Sequence, residues 1–237
     1  MFDRNCFGMM MVENGDADAF IAGAYSNSHR LQAMAADIVG IRDGYNHFAT
    51  IQILDTKRGT LFLADTSTNE STDADTLYDI TRLAADAARF FSHEPVMAMV
   101  SYSNFGTSDA PECRNAHEVV ERMHREFPDL AIDGEMQVNY ALDRELRDSA
   151  FPFTRLKDKN VNTLIFPNLS AANTAYRLML EMGVGEAIGP IQTGLRKPIH
   201  FIKTDAPVRD IVNLATIAVL DAAVQENIDA ASSADHN

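Results

Sequence analysis

Eight consecutive residues, Ser101 to Ser108, carry six hydroxyl or amide side chains (Ser101, Tyr102, Ser103, Asn104, Thr107 and Ser108) and one glycine. Neutral donors packed this densely can surround a phosphate or carboxylate. In a dry cleft such hydroxyls favour an anion without adding charge. Taken alone, a Ser/Thr-rich loop after a strand is equally the material of a turn. A second cluster, Arg155, Lys157 and Lys159, offers three cations in a polar loop, which fits either a phosphate-bearing ligand or a solvated surface. Asp133, Glu135 and Gln137 fall on one side of a strand by period two. They form either an acid/base pair or a set of acceptors for loop backbone. Cys113, His117 and His124 share a helix but lack the spacing of a metal site, and both histidines read as surface residues.

The elements that must position these residues follow from periodicity. Val96 to Val100 is short and apolar, a buried strand that delivers the 101–108 loop. Val161 to Phe166 is another, ended by Pro167 and Asn168. Ser170 can cap the helix after it, with Ala175, Leu178, Met179 and Met182 at helical spacing. Gly183 and Gly185 stop that helix, and Glu186 to Ile188 is short enough to be the next buried strand. Strand, polar turn, helix, strand is the unit that sets polar groups at the carboxyl ends of parallel strands, where open α/β sheets bind ligands.

Elsewhere, Phe7, Met10 and Met11 suggest a short helix closed by Asn14-Gly15, and Asp18 to Ala24 reads as a strand. Beyond it Ser26, Asn27, Ser28 and His29 are either site-facing or a helix cap. Phe48–Leu54 and Thr60–Ala64 form an antiparallel pair around Lys57-Arg58-Gly59. Thr72 or Asp73 caps a helix over 76–91 with an apolar stripe at Leu77, Ile80, Leu83, Ala84 and Ala87, and Glu112 to Phe127 and Asn139 to Phe151 are helices. Pro207 to Ala223 is a long final helix burying Val208, Ile211, Val212, Ala215, Val219 and Ala222. Polar composition from Gln225 onward predicts a flexible tail.

Composition bounds the function. Asp and Glu outnumber Lys and Arg 34 to 20, a net charge of −14, which argues against nucleic acid as a partner because counterion replacement needs a basic surface. No apolar run approaches the roughly 20 residues that span a bilayer, and no basic-then-apolar leader opens the chain. Two separated cysteines do not make a disulfide framework. The expected setting is a reducing cytoplasm, with no membrane partner.

The segments FPNLSAANTAY, IGPIQTGLRKP and DIVNLATIAVL, with FGMMMVENGDADAFIAG, SYSNFGTSDAP and DGEMQVNYAL before them, resemble the phosphate acetyl/butyryltransferase family over nearly the whole chain. SNFGTSDAP and DGEMQ are most similar to the phosphotransacetylase-like C-terminal domain of long bacterial NADP-dependent malic enzymes. The resemblance implies an α/β fold of Rossmann-like parallel sheets with flanking helices in two subdomains. Residues 1–40 and 191–224 would form an outer subdomain that is N-terminally incomplete, 41–190 an inner one and 225–237 a tail. It implies acetyl-CoA as ligand, with phosphate or acetyl phosphate beside it. No tightly bound cofactor and no metal are expected. Ligand contacts would come from the Ser101–Ser108 residues, Asn168, Asn173, Gly189, Pro190 and Lys197.

In the family an acyl carbonyl and a phosphate are stabilised by a Ser-Arg pair after the KP dipeptide and by an arginine on the helix before the GP turn. Gapless alignment on Lys197-Pro198 sets Lys203 and Thr204 at the pair, and alignment on Gly189-Pro190 sets Glu181 at the other arginine. Asp210 is retained, which leaves Asp210 and Lys203 as the candidate catalytic residues. Three readings follow: an acetyl-CoA-sensing regulatory domain fused to a malic enzyme, a working phosphate acetyltransferase, or a structural dimerisation module. A homodimer or higher oligomer is expected in each.

Overall fold

The computed structural model describes residues 3–24, 28–70, 72–203 and 206–234. In chain order the elements are α1 (Arg4–Glu13), β1 (Phe20–Ala24), α2 (Ser28–Val39), β2 (Ala49–Thr56), β3 (Gly59–Ala64), α3 (Ala74–Phe90), β4 (Val96–Val100) and α4 (Pro111–Glu126). There follow β5 (Ala131–Met136), α5 (Val138–Leu142), α6 (Arg144–Ala150), β6 (Thr163–Ile165), α7 (Leu169–Glu181), β7 (Gly185–Thr193), β8 (Ile199–Lys203) and α8 (Val208–Ala234). The chain divides into two compact units. Residues 1–48 and 188–237 make the first and 49–187 the second, so the boundaries fall at 48/49 and 187/188 where the sequence suggested 40/41 and 190/191.

The second unit is built on a sheet of order β5-β4-β6-β3-β2, with β7 against the outer side of β2. β5, β4, β6 and β3 run parallel, and β3 turns back antiparallel to β2 through Lys57-Arg58. Successive residues alternate faces along a strand. The Phe62 ring accordingly meets Phe91 at the end of α3, while Leu63 joins a cluster with Ala172 and Tyr176 of α7. Helices thus cover both faces, and the parallel strands read as continuous apolar runs for that reason. Asp73 caps α3 by accepting from the Thr76 N–H, and Leu77, Ile80, Leu83, Ala84 and Ala87 are buried, the stripe read from the sequence.

The first unit pairs β1 with β8 in parallel, Phe20 opposite Ile199 through Ala24 opposite Lys203. Met9, Val12, Leu31, Ala35 and Val39 of α1 and α2 pack with Ile199 and Phe201 of β8. α8 packs on β8 and β1.

Several local expectations are corrected. α1 buries Met9 and Val12 and exposes Phe7 and Met10; residues 7 and 9–12 are all apolar, so period alone does not choose a face. The cap of α7 is Asn168, not Ser170: its Oδ1 accepts from the Ala171 N–H. The helix expected over 139–151 breaks at Asp143, whose carboxylate accepts from the Leu146 N–H and starts a new helix. α8 turns Leu214, Ile217, Ala218 and Ala222 inward, leaving Val208, Ile211, Val212 and Val219 exposed, the last at 67%. Ala215 is exposed with them, so of the expected face only Ala222 is buried; the helix is apolar on both sides, and period alone does not choose between them. α8 also continues through Ala234, across most of the stretch read as a tail.

Candidate functional site

Because β3, β4, β5 and β6 are parallel, the segments after Ala64, Val100, Met136 and Ile165 all leave the same edge of the sheet in the second unit. Ser101–Ser108, Asn168 and Asn173 are therefore brought together there. Gly189, Pro190, Lys197, Lys203 and Asp210 belong to the first unit.

The 101–108 loop is held by the end of β5. The Ser101 N–H donates to the Met136 carbonyl at 2.9 Å and the Phe105 N–H to the Glu135 carbonyl at 2.7 Å. Glu135 Oε1 accepts from Ser103 Oγ and from the Gly106 N–H, both at 2.8 Å. Gln137 donates its own N–H to Asn104 Oδ1 and its Nε2 to the Tyr102 carbonyl. Glu135, Met136 and Gln137 thus touch every residue from 101 to 106. A serine hydroxyl has one proton. Ser103 gives its proton to Glu135, so Thr107 must donate in the 2.9 Å Ser103–Thr107 contact, and Thr107 Oγ1 accepts from the Asn104 N–H. Ser101 Oγ accepts from the Ser103 N–H, and Ser108 Oγ meets the Tyr102 hydroxyl at 3.0 Å. The loop's hydroxyls are largely engaged within it; Tyr102, Gly106 and Thr107 are what it exposes.

Glu135 and Asp133 serve as acceptors for loops. Asp133 Oδ2 takes the Thr154 hydroxyl at 2.7 Å and the Arg155 N–H at 2.8 Å. The period-two pattern does not hold along this strand, since all six residues of β5 are buried and its register shifts: Met99 faces Gly134, but Val100 faces Met136. Glu135 is the residue between them, a bulge. Gly134 permits it, with φ at +137° and no room for a Cβ, which would lie 2.5 Å from the Met99 carbonyl oxygen.

Asn168 and Asn173 are engaged too. Asn168 caps α7 and approaches Glu112 at 3.4 Å, while Asn173 donates to the Thr66 carbonyl and accepts from Arg177 Nε. Two features of this edge were missed. Asp65, buried at the end of β3, accepts from the N–H groups of Thr50, Ser67, Thr68 and Asn69 and from Asn69 Nδ2. Burial pushes its carboxyl up, and the donors oppose that rise. The sequence signal was an Asp followed by Thr-Ser-Thr-Asn at a strand end. Arg177, exposed on α7, is a cation of this edge that the helix pattern did not single out.

Arg155, Lys157 and Lys159 are exposed, on a segment that starts beside the 101–108 loop, where Phe153 packs on Phe105. Their segment leads to the amino end of β6, and the side chain of Asn162 there bonds Val96 and Glu94 at the start of β4, at the opposite edge of the sheet. The segment is held by Arg147, 0% exposed, which donates to the carbonyls of Ala141, Leu156 and Lys159. A cavity of about 300 Å³ lined by Arg58, Leu142, Asp143, Arg144, Glu145 and Asn160 has Arg58 of the β2–β3 turn and Asn160 just ahead of β6 in its wall, and balances two cations with two acids. His124 is not a surface residue: its Nε2 lies 2.8 Å from the Ile132 carbonyl. No group of His, Cys, Asp and Glu among the described residues could hold a metal.

In the first unit Lys203 is exposed at the end of β8, and Asp210 stands in the first turn of α8 with Oδ1 buried and without a hydrogen bond. Gly189 and Pro190 lie within β7, and Lys197 is half-buried just before β8. Thr204, Ser26 and Asn27 lie outside the described residues, and His29 is exposed on α2. β8 also carries His200, 1% exposed, with neither ring nitrogen hydrogen-bonded. Its Nε2 is 3.7 Å from Asp221 of α8. Burial lowers the His200 pKa to about 4 and raises that of Asp221 to about 6.

Two α/β units, one with polar loops gathered at the carboxyl ends of parallel strands, make this an α/β protein with a candidate site at one sheet edge. The model of the phosphate acetyl/butaryl transferase family matches residues 1–219, and the chain belongs to that family. It is 36% identical over 219 residues to an NADP-dependent malic enzyme of Escherichia coli (strain K12), covering 92% of this chain and 29% of that protein. With the phosphate acetyltransferase of Bacillus subtilis (strain 168) it shares 29% identity, covering 94% of this chain and 68% of that one. A crystal structure of a phosphotransacetylase from Streptococcus pyogenes matches with TM-score 0.86 at 30% identity, over 95% of this chain and 68% of that chain. The chain thus spans under a third of the length of the malic enzyme it resembles. No helix among the described residues is long and apolar enough to cross a membrane.

Proposed function

We propose that this chain is an acetyl-CoA-binding regulatory domain of an NADP-dependent malic enzyme, with its transferase chemistry lost. The observation that carries the reading is the replacement of the family's cations. Lys203 and Thr204 stand at the Ser-Arg pair and Glu181 at the other arginine. Glu181 is exposed at the carboxyl end of α7, away from Asn168, so the weight falls on Thr204: a partly dry site that loses an arginine from an anion disfavours it by roughly 2–5 kcal/mol. Lys203 is a point charge and cannot supply the planar two-pronged grip of an arginine. Identity of 36% with a malic enzyme against 29% with a phosphate acetyltransferase supports the same branch. In this role acetyl-CoA bound here alters a distant malate site, and the domain works as part of a homo-oligomer in the cytoplasm.

Asp210 favours a second reading. The family's acid is retained, its Oδ1 without a hydrogen bond and 3.7 Å from Arg209 Nε, so residual conversion of acetyl-CoA and phosphate to acetyl phosphate and CoA is the alternative, with Lys203 taking over the lost charge. The decisive experiment pairs calorimetric titration of acetyl-CoA with an assay of acetyl phosphate formation. The expected result is saturable binding without turnover, and transfer gained in a variant combining Lys203→Ser, Thr204→Arg and Glu181→Arg. Brisk turnover by the unaltered chain establishes the transferase instead. Absence of both binding and turnover leaves a structural dimerisation module.

A further inference from the structure

We infer that Glu135 is the positioning residue of the 101–108 loop: the β5 bulge aims its carboxylate at Ser103 and Gly106 and so presets the surface this edge offers to an acyl-CoA. The inference rests on the functional reading above for the ligand but on independent geometry for the positioning. In an unbulged strand residue 135 would pair with β4. Here Gly134 faces Met99 and Met136 faces Val100, so Glu135 is freed from the ladder, and Gly134 alone tolerates the approach to the Met99 carbonyl. Bulges recur where a strand must re-aim a side chain beside a site.

The freed residue is 0% exposed and has no ion pair among the described residues; one oxygen takes two loop donors while Oε2 has no hydrogen bond among them. A buried carboxylate kept without a counter-charge is costly, and what Glu135 holds is the bend of the loop. Phe105, at φ +46°, and Gly106, at φ +82°, lie in the left-handed region, a conformation that costs a non-glycine residue and persists where its surroundings over-determine it. From the other side Phe105 packs on Phe151 and Phe153, at centroid distances of 4.8 and 5.0 Å. The loop is clamped between the bulge and these rings, with Tyr102, Gly106 and Thr107 outward.

The test compares Glu135→Ala with Glu135→Gln in the whole chain, read by amide hydrogen exchange and by acetyl-CoA titration under conditions where each variant is fully folded. Glu135→Ala should speed exchange at Gly106 and weaken acetyl-CoA binding, each by about tenfold or more, as expected for a lost hydrogen bond to a charged acceptor. Glu135→Gln keeps an oxygen for Ser103 and Gly106 and should restore binding to within about threefold. Rescue by the amide is a result that a general packing role does not produce. If Glu135→Ala does not fold, Ser103→Ala removes one of the two loop donors and should raise Gly106 exchange and weaken binding in the same direction. Unchanged Gly106 exchange in the folded variants overturns the inference, as does a Gln variant no better than Ala. Should the unaltered chain fail to bind acetyl-CoA, the functional reading falls, and the exchange data alone decide whether Glu135 positions the loop.

Discussion

The two units differ in how much of their buried polarity is committed to the fold. In residues 49–187, Asp65, Asp133 and Arg147 spend nearly all their capacity on backbone groups of neighbouring loops. In the other unit, Glu13 Oε2, both nitrogens of His200 and Asp210 Oδ1 are buried without a hydrogen bond. That unit is the smaller, yet it holds four of the six such atoms among the described residues. A charged group taken up by backbone donors or acceptors is committed to the fold. One with an open atom keeps its capacity for another partner, water or ligand. The contrast is one of proportion, since Gln52 Oε1 and Glu135 Oε2 are open in residues 49–187 as well.

The sharpest way to break the comparison is Arg147→Met. If Arg147 is scaffold, three carbonyls lose their donor and Asp148 loses its ion pair. The expected loss is about 3–5 kcal/mol, as for one partner removed from a buried charged network, measured from urea unfolding midpoints. A loss below about 1 kcal/mol would mean that water replaces the guanidinium freely, and the contrast between the units would collapse.

A somewhat smaller effect tests the unspent side. Folded, His200 binds its proton only below about pH 4, whereas its ordinary value is 6.5. Between those values the unfolded chain holds the extra proton, so His200 loses stability as pH falls. Asp221 does the reverse: its folded value is about 6 against 3.8, so the folded chain holds the extra proton and stability is lost as pH rises through that window. Between about pH 4 and 6 each state carries one proton on the pair, and the two dependences cancel. Asp221→Asn should unmask His200, with stability falling by up to about 3 kcal/mol from pH 6.5 to 4, at roughly 1.4 kcal/mol per pH unit. His200→Gln should show the opposite slope. Flat profiles in both variants would show that the imidazole is hydrated.

Much of the framework was legible because single signals decided it. Thr72 or Asp73 ahead of an apolar stripe placed α3, the structure choosing Asp73, and the Lys57-Arg58 turn placed the antiparallel pair. The family was legible from ordered motifs. What failed did so where two faces were equally apolar, as in α1 and α8, or where one polar residue overrode period, as Asp143 did in splitting a helix. The site was legible as a set of residue types but not as a set of partners. Sequence shows that Ser103 and Thr107 carry hydroxyls. It does not show that Glu135, more than 25 residues away, consumes one of their protons. The bulge is the reason: it leaves DGEM with no period that points to the loop, and only the register between β4 and β5 reveals it.

The smallest effect concerns a residue whose two roles can be separated. Asn168 was expected among the ligand contacts, and the structure gives it the cap of α7, with Oδ1 on the Ala171 N–H at 2.9 Å. Asn168→Ala should cost about 1 kcal/mol, the ordinary value of an N-cap. Asn168→Asp keeps the accepting oxygen and adds a negative charge at a helix N-terminus, so it should retain most of that stability, offset in part by Glu112 at the site of its lost Nδ2 donor. If Asn168 is only scaffold, acetyl-CoA titration should not distinguish the aspartate variant from the parent. A drop in affinity with stability retained would assign the amide donor to the ligand and move Asn168 from the committed side of the comparison to the unspent one.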